Sequence, residues 1–201
     1  THAERDGGGW LLGFANGVEL RAGVLVNAAG AWADEVAVLA GAKPLGITPY
    51  RRTIAQLRIE PAPNPAMPLV LGIDGSFYFK PESARLWLSP HDETPSVPCD
   101  AAPEEIDVAL AIDRFESVVD WRIAALERKW AGLRSFVPDG ALVGGFDDAL
   151  PGFFWCCGQG GYGIQTSAAM GAACAARILG HALPPYICDQ GLKFEDLRCR
   201  R

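Results

Sequence analysis

The stretch Gly152-Phe-Phe-Trp-Cys-Cys-Gly158-Gln-Gly160-Gly-Tyr-Gly163-Ile-Gln-Thr-Ser167-Ala-Ala-Met170-Gly-Ala-Ala-Cys174-Ala-Ala-Arg177-Ile-Leu-Gly180 reads as an apolar strand, a glycine turn and a small-residue helix without a break. A short apolar run between glycines suits a buried strand. The glycines allow a turn that side-chain-bearing residues adopt only at a cost. Ala168, Ala169, Ala172, Ala173 and Ala176 give the helix an all-small face that a sheet or a ligand can approach closely. Gly158, Gly160 and Gly163 match G-x-G-x-x-G in the strand-to-helix position of the dinucleotide fingerprint. That fingerprint also requires a second strand ending in Asp or Glu about 20 residues further on, where this chain has Gly180-His-Ala-Leu-Pro-Pro, a helix exit. An independent NAD site therefore lacks a part. Two readings stay open: a helix start whose free backbone N–H groups favour a nearby negative charge, or a tight turn needed only for packing.

Upstream, Trp130-Ala-Gly-Leu-Arg-Ser-Phe136 reads as a strand that sets Arg134 beside apolar residues. A guanidinium in that setting needs an anion. It is either a structural carboxylate or a substrate carboxylate, which the planar fork grips bidentately. Arg51-Arg52 poses the same choice, with a solvated sheet edge as the simpler reading. Tyr78, between Phe77 and Phe79 in a strand, either carries its hydroxyl to a pocket or satisfies one buried hydrogen bond. His91 has no serine or cysteine nucleophile in a recognisable elbow, so a hydrolytic triad has no support.

The rest of the chain changes texture once. Asn16-Gly17 between two apolar stretches is a hairpin signal, so the chain begins inside a sheet. Residues 24–27 read as a strand buried on both faces, followed by Ala28-Ala-Gly30 and a short helix over 32–41 stopped by Gly41. From Ile47 come strands without helices, at 47–59, 69–73, 76–80 and 85–89, with turns at Asp74-Gly75 and Pro81-Glu-Ser83. Residues 60–68 are too rich in proline for a helix or a central strand. Pro103-Glu104-Glu105 opens a helix with Ile106, Ala109, Leu110, Ile112 and Phe115 on its buried face, ending before Trp121.

Composition narrows the function classes. A chain of 201 residues with 49 % hydrophobic and 21 % charged residues is a folded domain or two small ones. Eighteen Lys and Arg against 24 Asp and Glu give a net charge of -6, which argues against nucleic acid or an anionic membrane surface as partner. The longest apolar runs, 24–30 and 152–158, fall far short of the about 20 residues a membrane span needs. Residues 1–9 lack the basic-then-apolar order of a signal peptide, so a cytoplasmic location is expected. Six cysteines without a Cys-x-x-Cys pair, and three histidines, predict no metal site. Cys156 and Cys157 are expected to act as small core residues.

Taken together, Val24-Leu-Val-Asn-Ala-Ala-Gly-Ala-Trp-Ala-Asp34, Pro49-Tyr-Arg-Arg52, Ser76-Phe-Tyr-Phe-Lys-Pro81, Trp130–Phe136 and Gly158–Ser167 resemble the flavin-dependent D-amino-acid oxidase and dehydrogenase family. Within it the bacterial D-arginine dehydrogenases look nearest. The resemblance implies an α/β (α+β) fold: part of a Rossmann-like FAD-binding domain plus a substrate domain on an antiparallel sheet. It assigns 1–45 and 136–201 to the former and 46–135 to the latter. It further implies FAD as cofactor, with Asn27, Ala28, Gly30 and Trp32 near it, and Gly161, Tyr162, Gly163, Ile164 and Gln165 lining the isoalloxazine and, through Gly161 and Gln165, the substrate. Arg134 and Tyr78 take the catalytic positions, binding the substrate α-carboxylate with help from Arg51.

The implied reaction is hydride transfer from the Cα of a D-amino acid, basic ones such as D-arginine among them, to flavin N5. Hydrolysis of the imino acid then gives a 2-oxo acid and ammonia. The family's N-terminal strand, its G-x-G-x-x-G and its ribose-binding acid have no counterpart here, so the chain is expected to be a C-terminal portion. The acid that reads a basic side chain is among the parts without a counterpart, and a preference for D-arginine is not carried over. The alternatives are an inactive or partner-dependent subunit, or a small-ligand binding module without redox chemistry. A missing FAD-binding half or partner chain would leave strand edges open to self-association into a homo-oligomer. The sequence therefore predicts that this chain purified alone retains little or no FAD and shows no turnover. A visible spectrum showing stoichiometric flavin, together with amino-acid oxidation, contradicts that.

Overall fold

The computed structural model describes residues 2–199. The chain divides into two compact units, residues 1–49 with 134–201, and residues 50–133. In chain order come β1 (His2–Asp6), β2 (Gly9–Gly13), β3 (Glu19–Ala22), β4 (Leu25–Asn27) and α1 (Ala33–Ala40). Next are β5 (Thr48–Glu60), β6 (Val70–Leu71), β7 (Tyr78–Glu82), β8 (Arg85–Ser89), β9 (Thr94–Pro95) and α2 (Glu105–Glu116). Last come β10 (Arg122–Phe136), β11 (Val143–Phe146), β12 (Phe153–Cys157), α3 (Gly163–Ile178) and α4 (Pro185–Cys188). This is the mixed α/β fold expected from the sequence.

In the first unit β1, β2 and β3 form an antiparallel meander. Its second turn is the expected Asn16-Gly17, where Gly17 takes φ 81° and the Asn16 side chain accepts the Val18 N–H at 3.1 Å. A second sheet, in the order β11-β12-β4, pairs β12 antiparallel to β11 and parallel to β4. Trp10, Phe153 and Trp155 fill the core against Ala33 and Ala37 of α1, whose small side chains let the helix lie close. Gly41 ends α1 in the left-handed conformation, φ 79°.

Burial in this unit differs from the sequence expectation at two elements. β4 is not buried on both faces: it ends its sheet, and Val26 is 43 % exposed while Asn27 is 1 % exposed. The sheet-facing side of α3 is not all small either. Met170, Ala173, Cys174 and Ala176 are buried, whereas Ala168 and Ala169 face outward. Room comes from the sheet instead, because a Cβ on Gly144 of β11 would sit 2.7 Å from Met170 Cε and 3.1 Å from Cys174 Sγ.

The second unit holds the sheet β10-β5-β8-β7-β6, with β9 added to β5. The β7–β8 hairpin turns one step later than the sequence suggests: Pro81 and Glu82 continue β7, and Ser83 and Ala84 make the turn at φ 51° and 60°. A type I′ two-residue link, one of the two that follow the strand twist, needs positive φ at both positions, here reached without glycine. β10 also starts earlier than Trp130, at Arg122.

Helix α2 packs on this sheet through Val108, Ala111 and Phe115, while Ile106 and Leu110, expected on its buried face, are 60 % and 40 % exposed. The Phe115 ring meets Phe79 edge-on at 5.1 Å and lies 6.1 Å from Trp121. Truncating it, Phe115→Ala, is expected to cost about 3–5 kcal/mol, and Ile106→Ala no more than about 0.5 kcal/mol, in denaturant unfolding. Equal losses from the two would contradict this packing.

Candidate functional site

The glycine turn is shaped by what surrounds it. Gly158 and Gly160 take φ 74° and 49°, a region that strains other residues. The Gly160 N–H donates to the Ser135 carbonyl at 2.9 Å, which ties the turn to the end of β10. A Cβ on Gly160 would lie 2.4 Å from Phe136 Cε1, and one on Gly158 would lie 2.9 Å from the Ala141 carbonyl oxygen. Space for packing alone thus accounts for these two glycines.

Gly161 differs, because a Cβ there would meet the Arg134 guanidinium, 3.0 Å from Nη1 and 3.1 Å from Cζ. Arg134 therefore lies flat along the turn, half-buried, and it makes no ion pair or hydrogen bond to a side chain among the described residues. The next turn of chain leaves donors open. The first helical bond of α3 runs from the Thr166 N–H to the Tyr162 carbonyl, 3.0 Å, and Tyr162 supplies no side-chain cap. The N–H groups of Gly163, Ile164 and Gln165 thus stand outside the helical ladder, at the positive end of its dipole. Beside them Tyr162 is exposed and Ile164 is 95 % exposed, an apolar side chain with nothing against it.

The parallel register Trp155↔Asn27 sends both strand-to-helix connections, 28–32 and 158–162, out of the same edge of the sheet. Ligands of open α/β sheets bind outside the carboxyl ends of their parallel strands. Asn27, Ala28, Gly30 and Trp32 share that edge with the glycine turn. The Asn27 side chain is committed internally: Nδ2 donates to the Ala33 carbonyl at 2.7 Å and Oδ1 accepts from the Ala29 N–H at 3.3 Å. It shapes the 28–32 connection, on which Ala28 and Trp32 are exposed. The Asp34 carboxylate accepts the N–H groups of Leu45, Gly46 and Ile47 at 2.8–3.0 Å, fixing the exit of α1.

Arg51 and Tyr78 belong to the second unit. Arg51 is not on a solvated edge: it bonds Glu104 and Asp107, the latter at 2.7 Å, and its Nε lies 3.7 Å from Asp92. The Glu104 hydrogen bond leads in raising its pKa above the ordinary arginine value. Arg52, read with it as edge, is buried and bonds Glu93 at 2.8 Å. The Tyr78 ring stacks edge-on to His91 at 5.5 Å and carries the Arg52 guanidinium over its face at 6.0 Å. The His91 ring nitrogen Nδ1 contacts the Gly75 carbonyl at 2.5 Å.

Residues 1–177 match the DAO family of FAD dependent oxidoreductases, and the chain belongs to that family. Its fold is similar to that of glycine oxidase from Geobacillus kaustophilus, with 22 % identity and a TM-score of 0.80 over 100 % of this chain and 51 % of that one. It is similar also to iminodiacetate oxidase from Chelativorans sp. BNC1 (17 % identity, TM-score 0.75, 92 % and 50 % covered). A third likeness is to L-proline dehydrogenase from P. horikoshii (21 % identity, TM-score 0.74, 95 % and 54 % covered). The chain spans about half the length of these proteins. The family expectation from the sequence holds; the finer likeness to D-arginine dehydrogenases is not what these comparisons return.

The cofactor of this family is FAD, and the residues present fit it. A flat, partly apolar ring with anionic character needs backbone donors, an apolar wall and a close approach. The Gly163, Ile164 and Gln165 amides, the Tyr162 and Ile164 side chains, and the Gly161 turn are of those kinds. Sequence reading found the turn and Arg134 but missed Ser135 and Phe136 as the residues that hold the turn. Nothing in a Ser-Phe pair signals that role. The two neighbouring glycines separate experimentally. Gly160→Ala is expected to cost about 2–4 kcal/mol, from positive φ and a ring that must move. Gly161→Ala is expected to cost under about 1 kcal/mol, since only the flexible Arg134 side chain has to shift. Denaturant midpoints of both variants check this, and equal destabilisation contradicts it.

Proposed function

We propose that this chain forms the substrate-binding side of an FAD-dependent amino-acid oxidising enzyme, with Arg134 holding the substrate α-carboxylate. The observation that carries this is an arginine laid along the glycine turn, beside the uncapped start of α3, with no acid paired to it among the described residues. A half-buried guanidinium without a protein counter-ion is suited to receive one from a ligand, and its fork matches a carboxylate. The names of the three similar proteins, glycine oxidase, iminodiacetate oxidase and L-proline dehydrogenase, support a substrate with a carboxylate and an amine on neighbouring positions. A D-amino acid is the substrate we propose within that class, on the motif likeness of 24–34, 76–81, 130–136 and 158–167 to the D-amino-acid enzymes.

FAD, when bound, supplies the two-electron acceptor for oxidation of the substrate Cα–N bond. This chain's residues do the placing. Arg134 fixes the carboxylate by two parallel charge-assisted hydrogen bonds, which leaves the Cα at a set distance from the turn. The amides of Gly163, Ile164 and Gln165, at the positive end of the α3 dipole, would hold FAD there and favour negative charge on it. The exposed Ile164 and Tyr162 side chains would supply an apolar wall to the bound cofactor and shield it from water. Arg51 is left out of the carboxylate role because Glu104 and Asp107 already occupy its fork. Tyr78, in the second unit, is proposed to bind substrate on the motif likeness of 76–81 alone. The remaining FAD contacts are proposed to come from a further FAD-binding segment or partner chain.

In a flavin-loaded preparation that turns over, Arg134→Lys keeps the charge but loses the fork. It should lower kcat/KM by about 100-fold or more, since hydrogen bonds to charged groups contribute about 1.5–3 kcal/mol each. Bound flavin and Tm should stay near those of the unsubstituted protein. Unchanged kcat/KM with a lowered Tm would instead mark Arg134 as a structural residue.

A further inference from the structure

Neither Cys156 nor Cys174 has a role in the proposed oxidation. Cys156 lies on β12 just before the glycine turn, and Cys174 lies in the middle of α3, eighteen positions later. The fold brings their sulfurs to 3.9 Å, Cys174 Sγ–H pointing to Cys156 Sγ, with Gln159 Nε2 donating to the same Cys156 sulfur at 3.8 Å. Cys156 is partly exposed and Cys174 is buried. Neither Cys156 nor Cys174 is in a disulfide.

We propose that Cys156 and Cys174 are an oxidation site: hydrogen peroxide converts them to a disulfide that staples β12 to α3 across the glycine turn. In the first step the Cys156 thiolate attacks a peroxide oxygen. The O–O bond breaks, and a sulfenic acid and one water result. In the second the Cys174 sulfur attacks the Cys156 sulfur, the S–O bond breaks, and a second water leaves. Overall two thiols lose two electrons and two protons to one peroxide. The roles follow from position. Cys156 is the thiol that reagents reach, and the two hydrogen bonds it accepts favour its thiolate. The Cys174 hydrogen bond lowers its pKa to about 7. Cys174 is the buried resolving thiol, within a gap that side-chain rotation can close to the about 2.05 Å of a bond. Cys157, next to Cys156 but fully buried on the opposite face of β12, has its thiol pushed up by desolvation and stays inert.

The structural consequence is specific. The disulfide would close a loop that contains Gly158 through Gln165, so the segment carrying the candidate site would be held from both ends.

The test is peptide mass mapping of the full chain, reduced, treated with a few equivalents of hydrogen peroxide and then alkylated. The expected result is a cross-link between the Cys156 and Cys174 peptides, about 2 Da lighter than the two thiols and reversed by dithiothreitol. In Cys174→Ala no cross-link forms and Cys156 instead gains about 32 Da as sulfinic acid, because the resolving thiol is gone. Over-oxidation of Cys156 without a cross-link in the unsubstituted chain overturns the proposal, as does oxidation confined to the exposed Cys188. The mapping of the unsubstituted chain decides this even if the variant does not fold.

Discussion

The parallel pairing of β12 with β4 is the constraint on which the site depends. Parallel strands put their carboxyl ends at one edge, and each of these two strands then runs through a small-residue connection into a helix. That single register, Trp155 opposite Asn27, brings together a connection near the start of the chain and one near its end. An antiparallel pairing would have placed them at opposite edges. The buried Asn27 side chain secures the first connection; the Ser135 carbonyl and the Phe136 ring secure the second. The donors at the start of α3 are thereby held open while every surrounding backbone segment is fixed.

Arg51 and Arg134 show how the fold separates residues that look alike in sequence. Both are arginines in strands, and each needs an anion. Around Arg51 the structure gathers Asp92, Glu104 and Asp107, from two segments far from it in sequence. Around Arg134 it gathers glycines and a helix start, neither of which carries negative charge. The difference lies in tertiary contacts at separations of 41 to 56 residues, as in the Arg52–Glu93 and Arg51–Asp107 pairs, and no local pattern announces it.

Local chemistry made much of the molecule readable. The Asn16-Gly17 turn, the Gly41 stop of α1, the strand-turn-helix run from Phe153 and the sheet after Ile47 each follow from residues within a few positions. What failed did so where packing, not propensity, decides. Ser83 and Ala84 take positive φ because the hairpin register demands it, against their own preference. Ala168 and Ala169 face outward because Gly144 accepts the larger Met170 and Cys174. Ile106 and Leu110 are exposed because the helix turns Val108, Ala111 and Phe115 to the sheet. Within the site, Arg134 and the 158–163 glycines were legible from composition and spacing. The free state of the guanidinium was not, since it depends on which acids are absent from its surroundings.

The central claim, that Arg134 receives a ligand carboxylate at the glycine turn, is tested most directly by a crystal structure of the flavin-loaded protein soaked with an amino acid. Both carboxylate oxygens should lie about 2.7–2.9 Å from the Arg134 guanidinium nitrogens, the distance of charge-assisted hydrogen bonds, with the flavin ring against Gly161 to Gln165. A carboxylate bound elsewhere, with Arg134 turned onto a protein acid, would contradict the account.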